Sequence, residues 1–81
     1  MSGRALITGA TGSIGAALAR RLLHDGWTVS VLTRAGSPQE RLSPLRERLA
    51  VSIVDWAEPA SIDRAIAQAT PSVVFHLAGP P

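Results

Sequence analysis

A short apolar run near the start of the chain passes directly into a glycine-rich turn and then into an amphipathic segment. The stretch spans residues 6–15, and its three glycines are Gly9, Gly12 and Gly15. Glycine permits a tight turn and the close approach of a ligand to the main chain. The helix that follows presents unpaired N–H groups and the positive end of its dipole. This order of elements predicts an anion site of the kind that holds the pyrophosphate of a dinucleotide.

Particular groups around this turn can bind the pyrophosphate. We expect the backbone N–H groups of Ser13 and Ile14 to donate to it, with the hydroxyls of Thr11 and Ser13 as further donors. The alternative is a glycine-rich turn without a ligand, because isolated glycine triplets are weak signals. The ligand site is favoured because a strand precedes the turn and strands and helices continue to alternate after it.

The alternation predicts an α/β protein. Strands are predicted over Arg4–Thr8, Trp27–Thr33, Val51–Val54 and Ser72–Leu77. Helices are predicted over Ser13–Asp25 and Ser43–Leu49, with a third that starts at Pro59 and ends before Thr70. Right-handed crossovers then give a Rossmann-like, doubly wound parallel sheet of strand order 3-2-1-4 with flanking helices. The fourth strand would be an apolar edge, so we expect a partial sheet.

The first helix carries apolar residues at a spacing of four. Ile14, Leu18 and Leu22 predict the buried face, and Gly26 predicts the end of the helix. Small neighbours should let this helix lie close to the sheet: Ala16, Ala17 and Ala19.

Composition excludes several classes of function. The formal net charge is only +2, the basic residues are scattered arginines, and two Trp and one Phe are the whole aromatic content. We therefore expect no nucleic-acid partner. The absence of Cys excludes disulfides and thiolate chemistry and is compatible with a cytoplasmic location. No apolar run approaches the length of a signal sequence or a membrane span.

Residues 8–15, Thr-Gly-Ala-Thr-Gly-Ser-Ile-Gly, resemble the nucleotide-binding motif of the extended short-chain dehydrogenases/reductases. That branch includes NAD(P)-dependent sugar-nucleotide epimerases, dehydratases and reductases, and the resemblance runs over the whole chain. It implies that residues 1–81 are the N-terminal part of an NAD(P)-binding domain. The parts that bind substrate and perform catalysis would lie outside these residues.

Within this resemblance, the end of the second strand distinguishes the two nicotinamide cofactors. NAD-binding proteins generally place an acidic residue there to bind the ribose 2′-hydroxyl. This chain has Thr33 and then Arg34. A guanidinium suits a 2′-phosphate, which favours NADP(H), whereas the alternative for Arg34 is a solvated loop charge.

The resemblance also implies roles at the ends of strands 3 and 4. Asp55 would accept a hydrogen bond from the adenine amino group beside a wall formed by Trp56, or it would be a turn residue before the Pro59 helix. The two roles are compatible. The segment after strand 4 starts with His76, as it does in extended members of the family. A structural role is the simpler interpretation of this histidine. The next three residues would lie close to the cofactor ribose, because small side chains there let the chain approach it: Leu77, Ala78 and Gly79.

The resemblance places catalysis on a Tyr-x-x-x-Lys pair, and this chain contains neither Tyr nor Lys. We therefore name no catalytic residue and expect the chain alone to be inactive. The leading hypothesis is the NADP(H)-binding portion of an oxidoreductase, epimerase or dehydratase, acting on a substrate such as a nucleotide sugar. The alternatives are a non-catalytic, redox-sensing NAD(P)-binding module and a remnant without independent function.

Overall fold

Four parallel strands form one sheet in the order β3-β2-β1-β4, as the sequence predicts. The computed structural model describes residues 3–9, 12–36 and 40–77, apart from the side chain of residue 41. The elements are β1 (Arg4–Thr8), α1 (Ser13–His24), β2 (Thr28–Arg34), a 3₁₀ helix (Glu40–Arg48), β3 (Leu49–Val54), α2 (Pro59–Ala69) and β4 (Val73–His76). No helix in this described part is long and apolar enough to cross a membrane.

Helices cover both faces of the sheet, so its central strands are apolar on both sides. In β1, Ala5 and Ile7 face α1 and the 3₁₀ helix, whereas Leu6 faces α2. All three side chains are at most 1% exposed. Burial on both faces explains why β1 reads as a continuous apolar run rather than an alternating one.

Helix α1 packs on the sheet through a face different from the predicted one. Ile14 is 77% exposed and Leu18 only partly buried, so the prediction that the Ile14–Leu18–Leu22 stripe is the buried face is correct for Leu22 alone. The buried residues are Gly15, Ala16, Ala19, Leu22 and Leu23. The small members of this set allow the helix to approach the sheet closely, and this close approach decides which face is buried.

The end of α1 follows the prediction for Gly26. This glycine adopts a left-handed conformation, with φ of 89°. Its N–H donates to the carbonyl of Leu23 at 3.1 Å, and the N–H of Trp27 donates to the carbonyl of Leu22 at 2.9 Å. These two bonds form a Schellman motif, which turns the chain from α1 into β2.

The segment before β3 differs from the predicted helix over Ser43–Leu49. It is a 3₁₀ helix that starts at Glu40 and contains Pro44 in its interior, and Leu49 already belongs to β3. Leu42 and Leu45 are both buried. A repeat of three residues per turn brings these two side chains to the same side, where they pack against the α1 face of the core.

Candidate functional site

The glycine turn after β1 uses Gly9 and Gly12 for different physical reasons. Gly9 has φ of 76°, a conformation that side-chain-bearing residues rarely adopt. Gly12 is extended, with φ of −78° and ψ of 170°, so any residue fits its backbone. A Cβ added to Gly12 would have the carbonyl oxygen of Gly9 as its nearest described neighbour, at 3.8 Å. The described fold therefore leaves space at Gly12 that it does not need for its own packing.

The start of α1 borders that space. Gly12 is the N-cap residue, and no side chain of the described residues caps the helix there. Its carbonyl accepts from the N–H of Ala16 at 3.0 Å, which begins the helical bonding. The N–H groups of Ser13 and Ile14 thus belong to the first turn, whose donors have no partner within the helix. This geometry suits a bound anion.

The ends of β2 and β3 lie side by side, with Arg34 and Val54 in register. Arg34, Val54, Asp55 and Trp56 are among the residues that line an open depression of about 410 Å³. Thr33 is 5% exposed, whereas Trp56 is 42% exposed and Arg34 lies on the surface. The structure thus brings together the residues predicted to bind the adenosine end of a cofactor.

Asp55 forms a tight turn after β3. Its Oδ1 accepts from the N–H of Ala57 at 2.9 Å, and its carbonyl accepts from the N–H of Glu58 at 2.9 Å. Its own N–H donates to Ser61 Oγ at 3.1 Å. The turn role that the sequence offered as an alternative for Asp55 is therefore confirmed. The Oδ2 of Asp55 has no hydrogen bond to any residue of the described ranges.

His76 pairs with Thr8 across the boundary between β1 and β4. Thr8 Oγ1 and His76 Nδ1 lie 2.8 Å apart, and the two residues are in register. The N–H of Leu77 donates to the carbonyl of Thr8 at 3.1 Å, which continues the pairing beyond β4. This contact supports the structural interpretation of His76. It lies at the carboxyl ends of the strands where the strand order reverses, the place where open α/β sheets bind ligands.

Three residues predicted to bind the cofactor lie outside the described residues: Thr11, Ala78 and Gly79. Two contributing side chains were missed by sequence reasoning, the hydroxyls of Thr8 and Ser61. The sequence signal that could have pointed to Ser61 is its place in the first turn of α2, the helix that follows β3 and Asp55. Across residues 3–9, 12–36 and 40–77, no group of three or more His, Asp or Glu side chains is placed to hold a metal ion.

The described residues fit a dinucleotide. The turn at Gly12 offers space and uncapped amides for a pyrophosphate, and the depression beside Arg34 offers a cation and an aromatic wall for an adenosine end. A doubly wound parallel sheet with these features at its carboxyl edge defines the Rossmann-like class of nucleotide-binding domains.

Comparison with known proteins gives the family. A sequence profile of the NAD dependent epimerase/dehydratase family matches residues 5–81, and the chain belongs to that family. It is 37% identical over 84 residues to dihydroflavonol 4-reductase of Hordeum vulgare, covering 96% of this chain and 23% of that protein. The dihydroflavonol 4-reductase of Zea mays matches with the same identity and coverage. The chain thus spans about a quarter of the length of these relatives.

Solved structures of similar fold agree with this assignment. The Bordetella bronchiseptica enzyme WbmG, in complex with NAD and UDP, superposes with a TM-score of 0.80 at 29% identity, over 96% of this chain and 25% of that one. The UDP-glucose 4-epimerase of Thermus thermophilus, in complex with NAD, gives 0.78 at 28% identity, over 99% and 24%. The predicted fold and family are both confirmed.

Proposed function

We propose that this chain is the NADP(H)-binding portion of a nicotinamide-dependent oxidoreductase, epimerase or dehydratase. Family membership and the NAD complexes of similar structures support binding of a nicotinamide dinucleotide. The pyrophosphate would lie against the amides of Ser13 and Ile14, with further donors from Thr11 and Ser13 and with Gly9, Gly12 and Gly15 shaping the turn. A cytoplasmic location goes with this proposal.

The observation that carries the preference for NADP(H) is the environment of Arg34. The side chain is exposed and makes no hydrogen bond or ion pair with any described residue, yet it lines the depression beside Asp55 and Trp56. Thr33, which stands where NAD-binding proteins have an acid, is neutral and buried. A guanidinium at this place suits a 2′-phosphate, which accepts paired hydrogen bonds from it.

The other contacts follow from the same pose. Asp55 Oδ2 would accept from the adenine amino group while Trp56 packs against the ring. Leu77, Ala78 and Gly79 would pass close to the ribose. His76 would hold the ends of β1 and β4 together through Thr8 rather than touch the reacting atoms.

The bound cofactor would supply hydride transfer at a carbon that bears oxygen. These 81 residues contain neither Tyr nor Lys for the accompanying proton transfer, so we expect cofactor binding without turnover. The curated relatives are dihydroflavonol 4-reductases, whereas one similar structure contains UDP. Because of the UDP in that structure, we propose a nucleotide sugar as the substrate.

Calorimetric titration of the chain with NADPH and NADH tests the proposal. We expect tighter binding of NADPH, and a loss of about 10- to 100-fold in NADPH affinity on Arg34→Asp, because hydrogen bonds to charged groups contribute roughly 1.5–3 kcal/mol. Arg20→Asp makes the same charge change on the exposed side of α1 and should leave the NADPH/NADH ratio unchanged. An equal ratio in wild type and Arg34→Asp would refute the assignment of Arg34. A folded chain that binds neither cofactor would refute the function.

A further inference from the structure

Ser61, in the first turn of α2, is partly buried, and its hydroxyl makes three hydrogen-bond contacts. Its Oγ accepts from the N–H of Asp55 at 3.1 Å. It also lies 3.1 Å from the carbonyl of Asp55 and 2.9 Å from the carbonyl of Glu58, to either of which its hydroxyl donates. Side chains on a helix tilt toward its N-terminus, so a residue in this turn reaches back to the loop before it. One hydroxyl thus joins the start of α2 to the end of β3.

These contacts fix the position of Asp55, which lines the depression. The N–H, carbonyl and Oδ1 of Asp55 all have partners in the turn, through Ser61, Glu58 and Ala57. No described residue bonds Oδ2, so this is the Asp55 atom that we assign to the ligand. Trp56 lies inside the same turn and lines the same depression. A loss of the Ser61 hydroxyl would remove the bonds to the N–H and carbonyl of Asp55 that join this turn to α2.

We infer that Ser61 is a positioning residue for the adenine end of the bound dinucleotide, acting through Asp55 and Trp56 without touching the ligand. The inference rests on the proposed function, because it requires the depression beside Arg34 to bind adenosine. It adds a specific consequence, namely that the Ser61 hydroxyl affects the adenine half of the cofactor and not the nicotinamide half.

The chain contains a matched control for this hydroxyl. Ser72 Oγ accepts from the N–H of Arg4 at 3.1 Å and lies 3.1 Å from the carbonyl of Arg4. It therefore bonds one residue's N–H and carbonyl as Ser61 does, and it also lies at a junction between a loop and a regular element. Arg4 begins β1, so this contact lies at the amino edge of the sheet, opposite to Asp55. A purely structural hydroxyl should behave like Ser72.

The experiment compares Ser61→Ala, Ser61→Thr and Ser72→Ala in the full chain. Affinities for NADPH, 2′,5′-ADP and reduced nicotinamide mononucleotide are measured by calorimetry, and stability by thermal unfolding. Ser61→Ala should weaken 2′,5′-ADP and NADPH by about 5- to 10-fold, the equivalent of one hydrogen bond. Binding of the mononucleotide should not change. Ser61→Thr, which keeps the hydroxyl, should restore adenosine affinity, and Ser72→Ala should bind all three ligands as wild type does.

Each other outcome overturns the inference in a distinguishable way. Equal adenosine affinities for Ser61→Ala and wild type would make the hydroxyl structural only. An equal loss in Ser72→Ala would show that lowered stability, and not position, sets the affinity. A wild-type chain that unfolds cooperatively but binds neither NADPH nor 2′,5′-ADP would overturn the proposed function, and the inference with it. Alanine is the best helix former, so Ser61→Ala should retain α2.

Discussion

At the scale of a single residue, Gly12 indicates a ligand site because neither its backbone conformation nor the packing of the described residues requires a glycine there. Its backbone is extended and a Cβ would meet no described atom closer than 3.8 Å. A Ser at this position would be a better N-cap than glycine and would restrict the unfolded chain. We expect Gly12→Ser to stabilise the chain by roughly 0.5–1 kcal/mol. The same side chain would occupy the anion space and bond the amides, so NADPH affinity should fall at least tenfold.

Unfolding in urea and titration with NADPH measure the two halves of this prediction. Gly9→Ala is the control, because the positive φ of Gly9 should make it destabilising by about 1–2 kcal/mol through strain in the folded state. If Gly12→Ser binds NADPH as tightly as wild type, the anion does not lie against this turn.

Gly3 illustrates the opposite case, in which a glycine is required by a neighbouring side chain. A Cβ on Gly3 would collide with Ser72 Oγ and touch the Trp27 ring at 3.4 Å. Ser72 cannot rotate away freely, because its hydroxyl is bonded to Arg4. We expect Gly3→Ala to destabilise the wild-type chain by about 1–2 kcal/mol and the Ser72→Ala chain by distinctly less. A double-mutant cycle of unfolding free energies checks this, and simple additivity would contradict the proposed collision.

At the scale of the elements, Thr70 ends α2 in a backbone conformation that threonine disfavours. Its φ of 42° and ψ of 55° are left-handed, which is costly for a β-branched residue. Its Oγ1 accepts from Arg4 Nη1 at 2.7 Å, a contact between exposed groups that contributes little. Thr70→Gly should therefore stabilise the chain by about 0.5–1 kcal/mol, since strain of roughly 1–2 kcal/mol is removed and some backbone entropy is lost.

Thr70→Val separates the two contributions to this prediction. It removes the hydroxyl and keeps the strain, so it should be slightly less stable than wild type when both are unfolded in urea. If Thr70→Gly and Thr70→Val lose the same stability, the hydrogen bond to Arg4 outweighs the strain.

The elements also show where sequence reasoning reaches its limit. Strand β1 matches its predicted bounds, because apolar runs and glycines mark the chain locally. The buried face of α1 differs from the predicted face. The spacing of apolar residues does not show that the helix lies closer to the sheet when Gly15 and Ala16, rather than Ile14, face it. The helix predicted over Ser43–Leu49 is a 3₁₀ helix over Glu40–Arg48 for a similar reason: the Leu42–Leu45 pair fits both helical periods, and only the packing decides between them.

For the whole molecule, the sequence predicts topology better than it predicts the site. Strand order and the position of Arg34 and Asp55 at one edge follow from the alternation and from chirality rules. The contacts of Ser61 with Asp55 and of Thr8 with His76 do not, because side-chain hydrogen bonds depend on distances that no spacing rule gives. The residues assigned to the cofactor stay predictions until binding is measured.

The β4 edge of the sheet belongs to the scale of the whole described fold. Strand β4 is hydrogen-bonded to β1 on one side, and no described strand lies beyond it. Val73 and Val74 are 38% and 53% exposed, so the edge is apolar as well as unpaired. Such an edge can pair with another chain, and a charged side chain on it blocks the pairing. We expect Val74→Lys to lower concentration-dependent association of the chain while the monomer still unfolds cooperatively.

Ile14→Lys separates edge pairing from general hydrophobicity. It makes the same charge change at a side chain that is more exposed, at 77%, but that lies at the start of a helix and offers no strand edge. Light scattering over a concentration series in the absence of cofactor measures both variants. If edge pairing drives association, Val74→Lys lowers it and Ile14→Lys leaves it nearly unchanged, because the backbone groups of β4 are still available. If exposed apolar area alone is responsible, Ile14→Lys has the larger effect, and the unpaired edge of β4 is not the cause.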